Sequence, residues 1–298
     1  METNSQHKSE ELHEPESTSG KTASSTSSGD VSGWALHDHT SVIVAKLGGS
    51  TLGSHDTTMK DLVSLQHRGS QPIVVHGGAK IITEWMERQG VRPRFVRGLR
   101  VTDKSSLEIV VAVLTGLINK LLVAEISALG GKAVGLSGVD GGMLRAKIID
   151  PELGLVGDIV EVDTGPIKAA VSAGFMPVIA PVAVRNCSEL MRTESAFLNV
   201  NADTAAGEIA TAIGADRLVF MTDVGGVMDS SRRVMSRLTK SQAGGLMQSG
   251  VVSGGMLPKI AASLKALEVV RQAHIVDGRV ANALMDCLAN RDIGTRVG

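Results

Sequence analysis

The chain has 298 residues, with 30 basic against 31 acidic side chains and a formal net charge of −1, so no overall basic field favours nucleic acid. Aromatic residues make up 2% and tyrosine is absent, which removes the stacking platforms used by single-strand binders. Cys187 and Cys287 stand in no metal-ligand spacing, implying free thiols and a reducing, cytoplasmic compartment; no apolar run is read as long enough to cross a membrane.

Residues 1–39 are dense in Ser, Thr and Glu and contain no arginine, so they are expected to form a disordered tail rather than an organelle presequence. From Val42 onward, short Val/Ile-rich runs predict buried strands at Val42–Leu47, Pro72–His76, Ala133–Leu136, Met176–Ala180, Leu218–Met221 and Ala273–Val276. Between them, helices are predicted at Lys80–Gln89, Lys104–Leu129, Pro166–Ala173, Asp203–Ile213, Thr239–Gln248, Met256–Arg271 and Arg279–Asn290. Leu144–Val162 lacks helical periodicity and reads as a small hairpin excursion. This alternation predicts an open three-layer α/β/α sandwich with a mainly parallel central sheet, whose ligands bind off the strands' carboxyl ends.

Lys46-Leu-Gly48-Gly49-Ser closes the first predicted strand. It is not a Walker A loop, because Ser54-His55 stands where Lys-Ser/Thr is needed. Lys46 either reaches solvent from a sheet edge or faces an anion, and the bare glycine backbone would admit phosphate oxygens. His76-Gly77-Gly78 precedes a helix, where paired glycines make an anion cradle or merely a tight connection. His76 itself reads as a packed core histidine. Arg100, within Gly98–Asp103, offers a planar fork to a carboxylate or pairs with Asp103, while Thr102 or Asp103 suits a helix cap. In Asn199-Val-Asn201-Ala-Asp203, Asp203 either caps the next helix or anchors two lysines, and Asn199 can donate to a carboxylate without adding charge. The turn Asp223-Val224-Gly225-Gly226-Val227-Met228 and the segment Val251-Val252-Ser253 suit a nucleotide. Lys259 follows Pro258 in an opening helical turn, where the dipole disfavours a cation, so a ligand-facing role is expected. Fixed lysines beside bare glycines suit phosphoryl transfer to a small anionic acceptor.

In this order, with Gly135-Leu-Ser-Gly-Val-Asp140-Gly141 between the arginine and asparagine motifs, residues 42–298 resemble the amino acid kinase superfamily and, within it, the acetylglutamate kinases. The resemblance implies ATP-dependent phosphorylation of the side-chain carboxylate of N-acetyl-L-glutamate, giving an acyl phosphate, the second step of arginine biosynthesis. It implies a substrate lobe over residues 40–215 and a nucleotide lobe over 216–298 on one sheet, in a homodimer or a hexamer. Lys46 and Lys259 would stabilise the moving phosphoryl group and Asp203 would organise them. Gly48 and Gly49 would offer amides to the phosphates; Gly77, Gly78, Arg100 and Asn199 would hold the acceptor. Mg2+ would arrive on ATP, with no metal site of the protein's own. Ala79-Lys80, Leu198 and Asn282 depart from the family's usual residues. They bear on acceptor specificity more than on the chemistry, and leave carrier-protein-bound aminoadipate or glutamate as alternative acceptors. A non-catalytic small-molecule sensor is a separate alternative of another class, against which Lys46, Asp203 and Lys259 together argue.

Overall fold

The computed structural model describes residues 41–48, 57–186 and 195–298; the expected tail, Gly49 and Cys187 lie outside the described residues. Strand β1 (Val42–Leu47) has every side chain buried, as expected of an apolar strand covered on both faces. It is followed by α1 (Thr58–His67), β2 (Gln71–His76), α2 (Ala79–Arg88) and a short ribbon of β3 (Phe95–Val96) and β4 (Leu99–Arg100). A long helix comes next in three pieces: α3 (Lys104–Val111), a π-helical stretch (Ala112–Ile118) and α4 (Asn119–Ala128). The middle of the chain holds β5 (Ala133–Gly138), β6 (Leu144–Ile148), β7 (Val156–Val162), α5 (Gly165–Ser172), β8 (Met176–Arg185), β9 (Phe197–Val200) and α6 (Ala202–Ile213). Then come β10 (Arg217–Thr222), β11 (Arg237–Leu238), α7 (Lys240–Gln248), α8 (Met256–Ala266), β12 (Gln272–Asp277), α9 (Ala283–Leu288) and β13 (Thr295–Val297).

Among the described residues, one sheet runs in the order β11-β13-β12-β10-β1-β2-β8-β6-β7-β9, with β5 also paired to β8. Its pairings are mostly parallel; β6–β7, β8–β9 and β12–β13 are antiparallel. Strand β1 lies between β2 and β10, both parallel to it, with Leu47 level with His76 on one side and Met221 on the other. The chain therefore departs from β1 in both directions, and a crevice opens beyond the strand ends at that switch point. Lys46, Gly77 and Asp223 are carried there by three adjacent strands.

The two faces of β1 have different neighbours. Ile43, Ala45 and Leu47 join an apolar cluster with Leu62 of α1, Leu122 of α4 and Leu284 of α9. On the other face α6 packs over β1, and α8 packs against α6. Gly207 permits that approach, since a Cβ there would lie 2.9 Å from the Ala262 Cβ.

Several expectations need correction. The helix Lys104–Ala128 is long and apolar enough to cross a membrane by length and composition, contrary to the sequence reading. Its Leu107, Val110, Leu114, Ile118 and Ile126 are buried, as in a core helix laid along a sheet. The Leu144–Val162 segment is a hairpin, but β6 pairs with β8 and β7 with β9, so it extends the main sheet. Helix α1 is an addition, anchored by buried Met59, Leu62, Val63 and Leu65. The predicted Arg279–Asn290 helix starts only at Ala283, because Arg279 turns back to pair with Asp277 and Asn282 adopts φ 60°.

Candidate active site

Lys46 is 7% exposed, on a central strand rather than at an edge. Across from it, the first turn of α6 presents Asp203, and one α8 turn presents Lys259; all three side chains are buried. Lys46 Nζ lies 2.8 Å from Asp203 Oδ1, an ion pair set off the ideal hydrogen-bond direction. Lys259 Nζ donates to Asp203 Oδ2 at 3.1 Å and to the Gly255 carbonyl at 3.0 Å. One carboxylate thus bridges two ammonium groups with its two oxygens. Burial pushes Lys46 below the usual lysine range; Asp203 opposes this shift, and the nearby Lys259 charge adds to it.

Asp203 does not cap its helix. Asn201 is the N-cap, its Oδ1 accepting from the Asp203 and Thr204 amides at 2.9 and 3.0 Å. Capping by Asn201 leaves the Asp203 carboxylate for the lysines. At the long helix the cap is Asp103, which accepts from the Ser106 amide, so it forms no pair with Arg100. Arg100 instead donates to Ala79 O (2.9 Å), Thr83 Oγ1 (2.8 Å) and Met86 Sδ (3.1 Å), and stacks over the Phe95 ring at 4.7 Å. None of these partners is an anion.

A cavity of about 220 Å³ gathers Lys46, Gly77, Gly78, Arg100, Asn199 and Asp203. Sequence reasoning missed its apolar lining, which includes Ile82, Phe95, Leu114, Val156 and Pro181. These residues come from five separate elements or turns and share no motif. Asn199 is held by a bond from its Nδ2 to Thr102 Oγ1 at 3.1 Å, leaving one amide hydrogen for a ligand.

Two expected amide donors are already engaged. The Gly48 amide donates to Met221 O at 3.0 Å and the Gly77 amide to Leu47 O at 2.9 Å, because both continue the ladder past the strand ends. In the segments expected to suit a nucleotide, Asp223, Gly225, Met228, Val251 and Ser253 are exposed and Val224 is half-buried. Val227 and Val252 are buried; the Val227 amide donates to Thr295 Oγ1 at 2.8 Å and its carbonyl accepts from the Met235 amide at 2.8 Å, so Val227 supports the turn from within. Gly226 is needed for fit, since a Cβ there would lie 2.6 Å from Thr295 Oγ1. Among the described residues no group of three or more His, Cys, Asp or Glu is placed to hold a metal ion.

A sequence profile described as the amino acid kinase family matches residues 41–277. The acetylglutamate kinase of Dehalococcoides mccartyi is 41% identical over 256 residues, 86% of this chain and 94% of the relative. That of Cereibacter sphaeroides is 43% identical over 259 residues, 85% of this chain and 86% of the relative. Among solved structures, smu.665 from Streptococcus mutans UA159 superposes with a TM-score of 0.73 at 27% identity, covering 86% of this chain and 98% of that one. Carbamate kinase from Giardia lamblia bound to AMP-PNP gives a TM-score of 0.60 at 17% identity, with 87% and 98% covered, a likeness of fold alone.

Proposed function

We propose, from the premise that the chain belongs to the amino acid kinase family, that it is an acetylglutamate kinase. It transfers a phosphoryl group from ATP to the side-chain carboxylate of N-acetyl-L-glutamate, within arginine biosynthesis. The observation that carries this reading is the buried Lys46–Asp203–Lys259 bridge beside a cavity that also holds Arg100.

A carboxylate is already nucleophilic at neutral pH, so the reaction needs no general base; its obstacle is the approach of one anion to another. Two ammonium groups against one carboxylate leave a net positive charge at the end of β1. At an effective dielectric of about 20, a unit charge 4 Å away is worth roughly 4 kcal/mol. Lys46 and Lys259 are therefore read as stabilising the charge of the moving group, with Asp203 fixing their spacing. Arg100, braced by neutral partners, offers its charge to the acceptor's other carboxylate, and Asn199 and the Gly78 amide complete its hold. The apolar lining suits the acetyl group.

The nucleotide is assigned to the exposed edge formed by Asp223–Met228 and Val251–Ser253, with Mg2+ entering on its phosphates. The lobes 40–215 and 216–298 are read as sharing a three-layer α/β/α sandwich, supported by helices on both faces of β1. A homodimer in the cytoplasm is the assembly we adopt; the outward small and apolar residues Ala112, Gly116, Leu121 and Ala124 of the long helix support it.

Hydroxylamine trapping across a panel of acidic acceptors tests the reading. Hydroxamate should form with N-acetyl-L-glutamate and ATP. Formation only with carrier-bound aminoadipate would move the substrate, and none from folded, ATP-binding protein would leave a sensor.

A further inference from the structure

His76, fully buried at the end of β2, plays no part in the phosphoryl transfer itself. Its Nδ1 lies 3.1 Å from the Gly77 carbonyl, and its Nε2 lies 3.2 Å from Asn119 Nδ2. The same Nδ2 faces the Val178 carbonyl at 2.8 Å and the Leu136 carbonyl at 3.2 Å. The Val178 carbonyl, the shortest contact, takes one of the two amide hydrogens, and the other is shared between the Leu136 carbonyl and His76 Nε2, so the NH2 end of Asn119 faces the imidazole and donates to it. Lys120 Nζ completes it by donating to Asn119 Oδ1 at 3.0 Å. An Nε2 that accepts is bare, so the ring's proton is on Nδ1, where the Gly77 carbonyl can only accept. Both constraints give one tautomer.

The surroundings are shaped for this arrangement. The π-helical stretch ends at Ile118, immediately before Asn119. One extra residue in a turn rotates the remainder of the helix by about 100°, so the stretch sets which way Asn119 points. A Cβ at Gly135 would lie 1.9 Å from Asn119 Oδ1, and one at Gly78 would lie 2.3 Å from Ile118 Cδ1. Gly135 thus clears space for the Asn119 amide, and Gly78 for the Ile118 and Leu114 side chains of the π-helical stretch before it.

We propose that His76 is a positioning residue: as the Nδ1-protonated imidazole it holds the Gly77 carbonyl inward and thereby aims the Gly78 N–H into the acceptor cavity. The C=O and N–H of one trans peptide unit point in opposite directions, so fixing the first fixes the second. The role rests on the acetylglutamate kinase reading, in which Gly77–Gly78 forms a wall of the acceptor pocket. Burial, with Lys46 of β1 and Lys120 of α4 as the nearby charges, pushes His76 down to about 4, so the neutral ring persists through physiological pH.

Nitrogen-15 spectra of the histidine rings, with His76 assigned from its loss in His76→Asn, read the tautomer. A protonated Nδ1 and bare Nε2, unchanged between about pH 6 and 8, are expected. Kinetics supply the second arm. The His76→Asn amide sits near the place of Nδ1 and should keep the acceptor KM within about threefold, while His76→Gln, whose amide sits near Nε2, should raise it about tenfold or more. The KM for ATP should move little in either. An Nε2-protonated or charged ring at neutral pH, or equal acceptor KM values in the two variants, would overturn the proposal. If either variant fails to fold, the wild-type spectrum decides. If wild-type protein gives no hydroxamate from N-acetyl-L-glutamate, the assigned function fails instead, and the ring spectrum still reports on the Gly77 hold.

Discussion

At the scale of single residues, the site depends on a carboxylate with an ammonium group on each oxygen. Removing its charge leaves two buried cations facing each other. Asp203→Asn is therefore expected to lower kcat about 10²-fold and to cost about 3–5 kcal/mol in urea unfolding. Near-normal stability would mean that the lysines do not depend on it. Two buried histidines contribute to the acid limb of stability, above the range where the hydrogen-bonded Asp103 and Asp277 add to it. His76 and His274 are both pushed down to about 4, chiefly by burial, while an unfolded histidine titrates near 6.5. Between those values the unfolded chain binds more protons, so stability falls as pH drops through that window, by up to roughly 3 kcal/mol for each ring, and is unaffected by them above it. Urea midpoints that stay flat from about pH 6.5 to 4.5 would contradict this. Neighbouring glycines drew attention to Lys46 and Lys259, but the residues alone left Asp203 a possible cap and Arg100 a possible ion pair; only the order of the motifs pointed to one shared site. Asn201 and Asp203 are both good caps two positions apart, so only backbone geometry could assign capping to the first. The engagement of the Gly48 and Gly77 amides was hidden for a similar reason: a glycine's sequence neighbours do not tell where its N–H goes.

Elements carry these residues to their places. Asn201→Ala should cost about 1 kcal/mol by removing the α6 cap, and should lower kcat too, since Asp203 lies in the turn that the cap fixes. A stable variant with unchanged turnover would separate the cap from the site. On α9, burial raises the Cys287 thiol to about 12, so in a Cys187→Ser background it should resist thiol reagents until the protein unfolds. Rapid native-state labelling would show that α9 opens. Strand cores were legible from their β-branched runs, and most helices from apolar spacing. The π-helical stretch was not, because Ala112–Ile118 is apolar enough to satisfy either period. The start of the last predicted helix was missed because Asp277 and Arg279 form a turn by pairing side chains, which residue spacing does not record.

For the whole molecule, sheet order was beyond the sequence. That β10 returns to lie beside β1 depends on pairings across about 174 positions of chain, and only this return lets α6 and α8 close over Lys46. The outward face of the long helix leads to a prediction of assembly: sedimentation should give twice the chain mass, and Leu121→Glu should shift it toward the monomer. A monomeric wild type would leave that face without the role assigned to it. The central claim is that the bridged lysines perform the transfer. The most direct test is the kcat for hydroxamate formation by Lys46→Ala and Lys259→Ala, with ATP and N-acetyl-L-glutamate saturating. Each variant should fall by about 10²-fold or more with smaller changes in KM; near wild-type turnover in either would contradict the assignment of that lysine to the moving phosphoryl group.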